Sequence, residues 1–167
     1  MITIVLSITI YLIIKFFFAS ISSWLRRQRL EHAIQICYNG EKNTEGGLCM
    51  YTNVAYLHNS LTDMVDESRS LIVTSCGYYR VHSRSVVSTE RPQGRRDYQL
   101  LYIAKSKGYF YFDGPDGKET VITEGNMILF RPGEIQYYYY HAPDKTEVYW
   151  VHFTGRMVEG ILDNYEL

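Results

Sequence analysis

The sequence predicts a mainly β protein, an antiparallel sandwich or barrel, on three observations. Between residues 71 and 153, short β-rich runs alternate with turn signals built from Gly, Pro, Asp and Asn. Tyrosine, which suits a pleated and half-buried surface, supplies 16 of the 167 residues and four of them in succession, Tyr137 to Tyr140. Helical spacing appears late, where Met157, Val158, Ile161, Leu162 and Tyr165 recur after Gly155.

The chain begins differently. Residues 2–25, ITIVLSITIYLIIKFFFASISSWL, carry one charge, Lys15, and Arg26, Arg27 and Arg29 follow at once. As a helix this stretch would span ~36 Å, enough for a hydrocarbon core of ~30 Å. The basic flank would then hold the remainder in the cytoplasm, while Lys15 at mid-span costs ~3 kcal/mol on insertion scales. Three readings stay open for residues 1–29: a membrane helix, a start assigned too early, or a soluble helix. Residues 30–49 show no sustained period, and Glu45-Gly46-Gly47 precedes Met50. One codon choice for that tripeptide is a purine-rich ribosome-binding sequence, which makes Met50 a rival start. Residues 30–70 read as a linker and a loosely ordered N-terminal arm.

The strand region follows. LIVTSCGYYRV supplies one or two strands, and DYQLLYIAKSKG one from about Tyr98 to Ala104. YFYFDGPDGKETVIT is a hairpin around residues 113–117, whose Gly and Pro sit in turn positions. GNMILFRPGE is a buried strand stopped by Pro132-Gly133. IQYYYYH and EVYWVHF are expected to pair as another hairpin across residues 142–146. Side chains alternate along a strand, so Gln136, Tyr138 and Tyr140 share one face and Tyr137 and Tyr139 the other, one set toward the barrel mouth and one outside. On the next strand Val148, Trp150 and His152 share a face.

Composition excludes several functions. With 17 basic and 18 acidic residues the net charge is −1, which offers no electrostatic case for nucleic acid. The cluster Arg91, Arg95, Arg96 reads as a solvated rim. Cys37, Cys49 and Cys76 lie far apart without CxxC spacing, so neither a disulfide framework nor a zinc site is expected. His32, His58, His82, His141 and His152 are scattered, and His152 is read as a hydrogen-bonded strand histidine. No nucleophile motif or phosphate-binding glycine loop is visible. No metal, cofactor or catalytic residue is expected.

ERPQGRRDYQLLYIAKSKGYFYF, EGNMILFRPGEIQYYYY and EVYWVHFTG together resemble the N-terminal effector-binding domain of AraC-type transcription regulators. The similarity covers residues 71–167, and extends to Met50 on a wider reading. It implies a cupin-like antiparallel β-barrel of jelly-roll type, here with a separate N-terminal hydrophobic helix and a truncated C-terminal helix. The implied segments are 1–29 hydrophobic, 30–70 linker and arm, 71–155 ligand-binding barrel, and 156–167 the start of a dimerisation helix. The resemblance also implies a cytoplasmic sensor of a small molecule, usually a sugar, without catalysis, and a homodimer. DNA would be a partner only through a C-terminal helix-turn-helix domain that this sequence lacks, as expected of a fragment. The membrane would be a partner only if residues 1–29 are translated.

Arg91 matches the family's sugar-contacting arginine, Trp150 the stacking tryptophan and Tyr138 a hydroxyl contact. The chemistry suits them, since Arg presents a fixed fork of donors and an indole offers apolar area with an N–H. Each has an ordinary reading as well: Arg91 as a solvated loop charge, Trp150 as core, Tyr138 as a strand former. Metal-binding cupins place a histidine where this chain has Gln136. A cupin enzyme acting on a small sugar and a membrane-anchored interaction domain remain the rival functions.

Overall fold

The computed structural model describes residues 33–38, 51–57, 63–82 and 86–165, the first two stretches through their backbone. Ten strands and one α-helix follow in order: β1 (Ala33–Tyr38), β2 (Tyr51–Leu57), β3 (Ile72–Val81), β4 (Val86–Arg91), β5 (Tyr98–Lys105), β6 (Lys107–Tyr111), β7 (Glu119–Thr123), β8 (Met127–Phe130), β9 (Gln136–His141), β10 (Glu147–Thr154) and α1 (Val158–Asn164). They form a six-stranded sheet in the order β1-β2-β3-β10-β5-β8 and a four-stranded sheet in the order β4-β9-β6-β7. All pairings are antiparallel. The two sheets face each other as a cupin-like β-barrel.

Residues 33–38 and 51–57, expected as linker and arm, are strands that extend the larger sheet through β3, with Tyr51 opposite Val81 and Leu57 opposite Ser75. β2 finds its partner β3 at a distance in sequence, and β1 joins the sheet through β2, so local pattern did not reveal them. The hydrophobic segment 1–29 lies outside the described residues. Among the described residues no helix is long and apolar enough to cross a membrane.

The β6–β7 hairpin forms as expected, with Tyr111 opposite Glu119 and Lys107 opposite Thr123. The expected β9–β10 hairpin does not form. β9 is flanked by β4 and β6 in the smaller sheet, and β10 by β3 and β5 in the larger. Each strand therefore has both ladder edges occupied, and a 3₁₀ turn (Ala142–Asp144) carries the chain across the barrel end. Lys145, at φ 51, turns the chain, and the Thr146 hydroxyl donates to the Lys107 carbonyl at 2.7 Å, closing that end.

The interior is aromatic. Phe110 and Tyr138 from the smaller sheet meet Phe130 and Trp150 from the larger, with Leu101, Ile103, Ile128, Val148 and Tyr140 in the same cluster. Burial of each such side chain contributes ~1.5–3 kcal/mol. Gly108 is required here because Tyr140 lies on it. A Cβ at that position would stand 2.7 Å from the Tyr140 ring and 2.8 Å from Phe110. Outside the larger sheet, α1 buries Val158 and Leu162 against Tyr98, with Leu129 and Phe153 packed alongside.

Candidate functional site

The inner surface of the barrel is graded from apolar to polar along its strands. At one end lie Val81, Ile103, Ile122 and Val148. Toward the other, period-two alternation brings Gln99 on β5, Gln136 on β9, and Trp150 and His152 on β10 to the same interior. Gln99 stands opposite His152 in the ladder, and Gln136 stands opposite Arg91. All four are at most 7% exposed.

A β-bulge sets the His152 environment. The register slips between His152 and Phe153, so that β3 presents Ser75 opposite His152 while Thr74 is the extra residue. Ser75 Oγ lies 2.8 Å from His152 Nδ1. Burial first, and then the charges of Arg95 and Arg91, drive the His152 pKa down to about 2. The imidazole is therefore neutral at physiological pH, with one ring nitrogen engaged by Ser75 and Nε2 turned elsewhere. The indole of Trp150 stacks on it at 4.7 Å between centroids.

Five buried polar atoms have no hydrogen-bond partner among the described residues: Gln99 Oε1, Gln136 Nε2, Trp150 Nε1, His152 Nε2 and the Tyr140 hydroxyl. Leaving a buried polar group unpaired costs ~1–3 kcal/mol, and native interiors leave few. Four of the five sit on Gln99, Gln136, Trp150 and His152, so the unpaired donors and acceptors concentrate at the polar end of the barrel. The Arg91 guanidinium reaches this set by donating to Gln136 Oε1 at 3.2 Å.

The loop after β4 supports this end of the barrel. Gly94, at φ +65, packs so closely on the β8–β9 turn that a Cβ would fall 2.3 Å from the Glu134 carbonyl oxygen. The Arg95 carbonyl accepts from the Gly133 amide at 2.7 Å. Arg95, expected in a solvated rim, is instead 7% exposed and donates twice to Asp97, at 2.6 and 3.1 Å. Arg96 is exposed, as expected. Charge runs do not reveal which member folds inward, and here the carboxylate two residues on decides it.

The residues singled out from sequence all belong to this barrel. Tyr138 is 3% exposed and its ring lies 5.3 Å from Phe110 and 6.0 Å from Phe130. Trp150 is 4% exposed, a core residue whose N–H nonetheless lacks a partner. Arg91 is half-buried and engaged rather than freely solvated. Sequence reasoning passed over Gln99, whose signal was a lone polar residue in phase with Leu101 and Ile103. It weighed Gln136 only as a vacant metal-ligand position. Among the described residues no three of His, Cys, Asp and Glu converge to hold a metal ion.

A two-layer antiparallel barrel with a polar inner end defines a cupin-like ligand-binding domain. The family model for the AraC-like ligand binding domain matches residues 77–167, more than half of the chain, and the protein belongs to that family. It is accordingly a small-molecule ligand-binding domain. No curated protein matches the chain. Among solved structures it is similar to hydroxypropylphosphonic acid epoxidase from S. wedmorenis (TM-score 0.45, 11% identity), over 75% of this chain and 57% of that one. The EutQ protein of Clostridium difficile overlaps with TM-score 0.35 and 17% identity, over 60% and 68% of the respective chains. Bacillus subtilis oxalate decarboxylase gives TM-score 0.46 and 11% identity, over 74% of this chain and 28% of that one. The chain thus spans little more than half of the epoxidase, and at these scores the overlaps carry no argument about chemistry.

Proposed function

We propose that the barrel senses a small hydroxyl-rich molecule of the sugar class, bound at its polar inner end without chemical conversion. The convergence of Gln99, Gln136, Trp150 and His152, each with an unpartnered buried polar atom, carries this reading. A polyol supplies hydroxyls that both donate and accept, which suits a mixed set of one carbonyl oxygen and several N–H groups. Trp150 would lie under the C–H face of the ring, Arg91 would bind a hydroxyl through its free guanidinium nitrogens, and Tyr138 would add its phenol. The neutral His152 fits a neutral ligand, since a protonated imidazole would stand among Arg91 and Arg95. In this family's transcription regulators such a domain would pass the signal, as a homodimer, to a DNA-binding partner domain.

The test is a titration of the full chain carrying Trp24→Phe with a panel of pentoses and hexoses, read by Trp150 fluorescence. A saturable change with one sugar, and no product formed from it, is expected. Arg91→Ala should weaken binding by ~1.5–3 kcal/mol, the range for hydrogen bonds to a charged group. Tyr138→Phe should weaken it less, while Tyr137→Phe leaves it unchanged. Turnover of a bound sugar would replace this reading with an enzymatic one.

A further inference from the structure

The outer face of the four-stranded sheet carries a second aromatic arrangement unrelated to the interior. Ladder register places Glu90, Tyr137, Tyr111 and Glu119 side by side in one row across β4, β9, β6 and β7. The adjacent row holds Ser88, Tyr139, Tyr109 and Val121. Tyr109 and Tyr139 stack at 4.9 Å with planes 5° apart, and Tyr111 lies 6.2 Å from Tyr139. The phenols of Tyr111 and Tyr139 both donate to Glu119. These bonds clamp the rings in place and hold the Glu119 carboxyl below the usual range, the Tyr139 bond being the first cause, so it is ionised.

Between Pro115 and β4 this surface forms a groove of about 420 Å³ lined by Tyr111, Tyr137, Tyr139 and Glu90. The charge pattern there is one-sided. Among the described residues Glu90 makes no ion pair or hydrogen bond, and neither Lys nor Arg lines the groove. The far end of the same tyrosine ladder already holds a cation: Lys107 Nζ sits 5.4 Å from the Tyr109 ring centroid and pairs with Asp144 at 3.6 Å. The groove repeats that combination of phenol faces and carboxylate, with no cationic side chain among the described residues that line it.

We propose that this groove is a binding site for an alkylated ammonium ion, held over the faces of Tyr137 and Tyr111 and neutralised by Glu90. Phenol rings attract a cation through their negative faces, and a weakly hydrated alkylammonium gives up little solvation to reach them. The carboxylates at the two ends of the row, Glu90 and Glu119, exclude anions from the same surface. Pro115 closes one side and limits the site to a compact head group.

The experiment titrates the full chain with choline chloride, followed by calorimetry and by saturation transfer to the trimethylammonium protons. Its uncharged isostere, in which a tert-butyl group replaces the trimethylammonium, is the matched control. Choline should bind saturably and the isostere about 10-fold more weakly. Tyr137→Leu should weaken choline about 2- to 5-fold, the size of one exposed cation–π contact, and Glu90→Gln up to about 5-fold, the size of one exposed ion pair. Tyr137→Phe, which keeps the ring face, should retain binding and so separates ring chemistry from misfolding. Equal binding of choline and isostere would overturn the proposal and leave an unselective apolar groove. Absence of saturable choline binding would also overturn it. Concentration-dependent self-association that Tyr137→Leu abolishes, without choline binding, would reassign the face to a second copy of the chain.

Discussion

The two faces of β9 take the same residue type to opposite ends. Tyr138 and Tyr140 point inward and are 3% and 2% exposed, while Tyr137 and Tyr139 stand half-buried on the outside. The phenols of Tyr139 and Tyr140 are both pushed above the ordinary tyrosine range, for different reasons. The Tyr139 proton is held first by its bond to Glu119. The Tyr140 hydroxyl has no partner among the described residues and is held by burial. Identical side chains one residue apart thus differ in what their hydroxyls contribute. Outside, the hydroxyl fixes a ring against a carboxylate; inside, it is a cost that a ligand or a water can relieve. A run of tyrosines is therefore a way of equipping two surfaces from one strand.

The widest gap between the faces should appear on truncation. Tyr140→Ala removes a ring packed on Gly108 and Phe110 and should cost ~3–5 kcal/mol. Tyr139→Ala should cost about 1 kcal/mol, because its ring is partly solvated and its bond is exposed. Denaturant unfolding of both variants measures the difference. A reversed order, with Tyr139→Ala the costlier, would mean that the register of β9 is exchanged.

Between pH 7 and 5, above the carboxylate range, acid should act through the interior. The His152 pKa falls from 6.5 in an unfolded chain to about 2 in the fold. Between those values the unfolded chain binds the extra proton, so this contribution is complete above pH 6.5 and is lost as pH falls below it. The slope is about 1.4 kcal/mol per pH unit. Stability measured from pH 7 to 5 should decline for the wild type, and His152→Gln should flatten the decline. A slope unchanged by that substitution would assign the acid sensitivity to other groups.

The smallest effects sharpen the comparison most. Tyr140→Phe deletes an unpartnered buried hydroxyl and should leave stability unchanged or raise it by less than about 1 kcal/mol. Tyr139→Phe should lower stability by a similar amount and return the Glu119 carboxyl toward its ordinary range, because the Tyr139 bond is the main cause of its depression. Thermal unfolding reads the first, and the carboxyl carbon shift of Glu119 across an acid titration reads the second.

Much of this was legible in the residues. Alternation along QYYYYH separated the two faces before any contact was known, because the side-chain period of a strand is a local property of its backbone. The same rule put Trp150 and His152 together. The Gly and Pro spacing around residues 113–117 marked the β6–β7 hairpin, since two strands joined by a tight turn find each other locally. Local rules failed wherever pairing was long-range. β9 and β10 pair with strands of different sheets, and β1 and β2 join the larger sheet through the pairing of β2 with β3. The meeting of Gln99 with His152 and of Gln136 with Arg91 required long-range strand pairing within each sheet. By itself the sequence determined which residues face which way along each strand, because that is written in steps of two. The tertiary structure alone decided which faces meet, because sheet order is set by competition among distant edges, and the polar inner end of the barrel exists only after that competition is resolved.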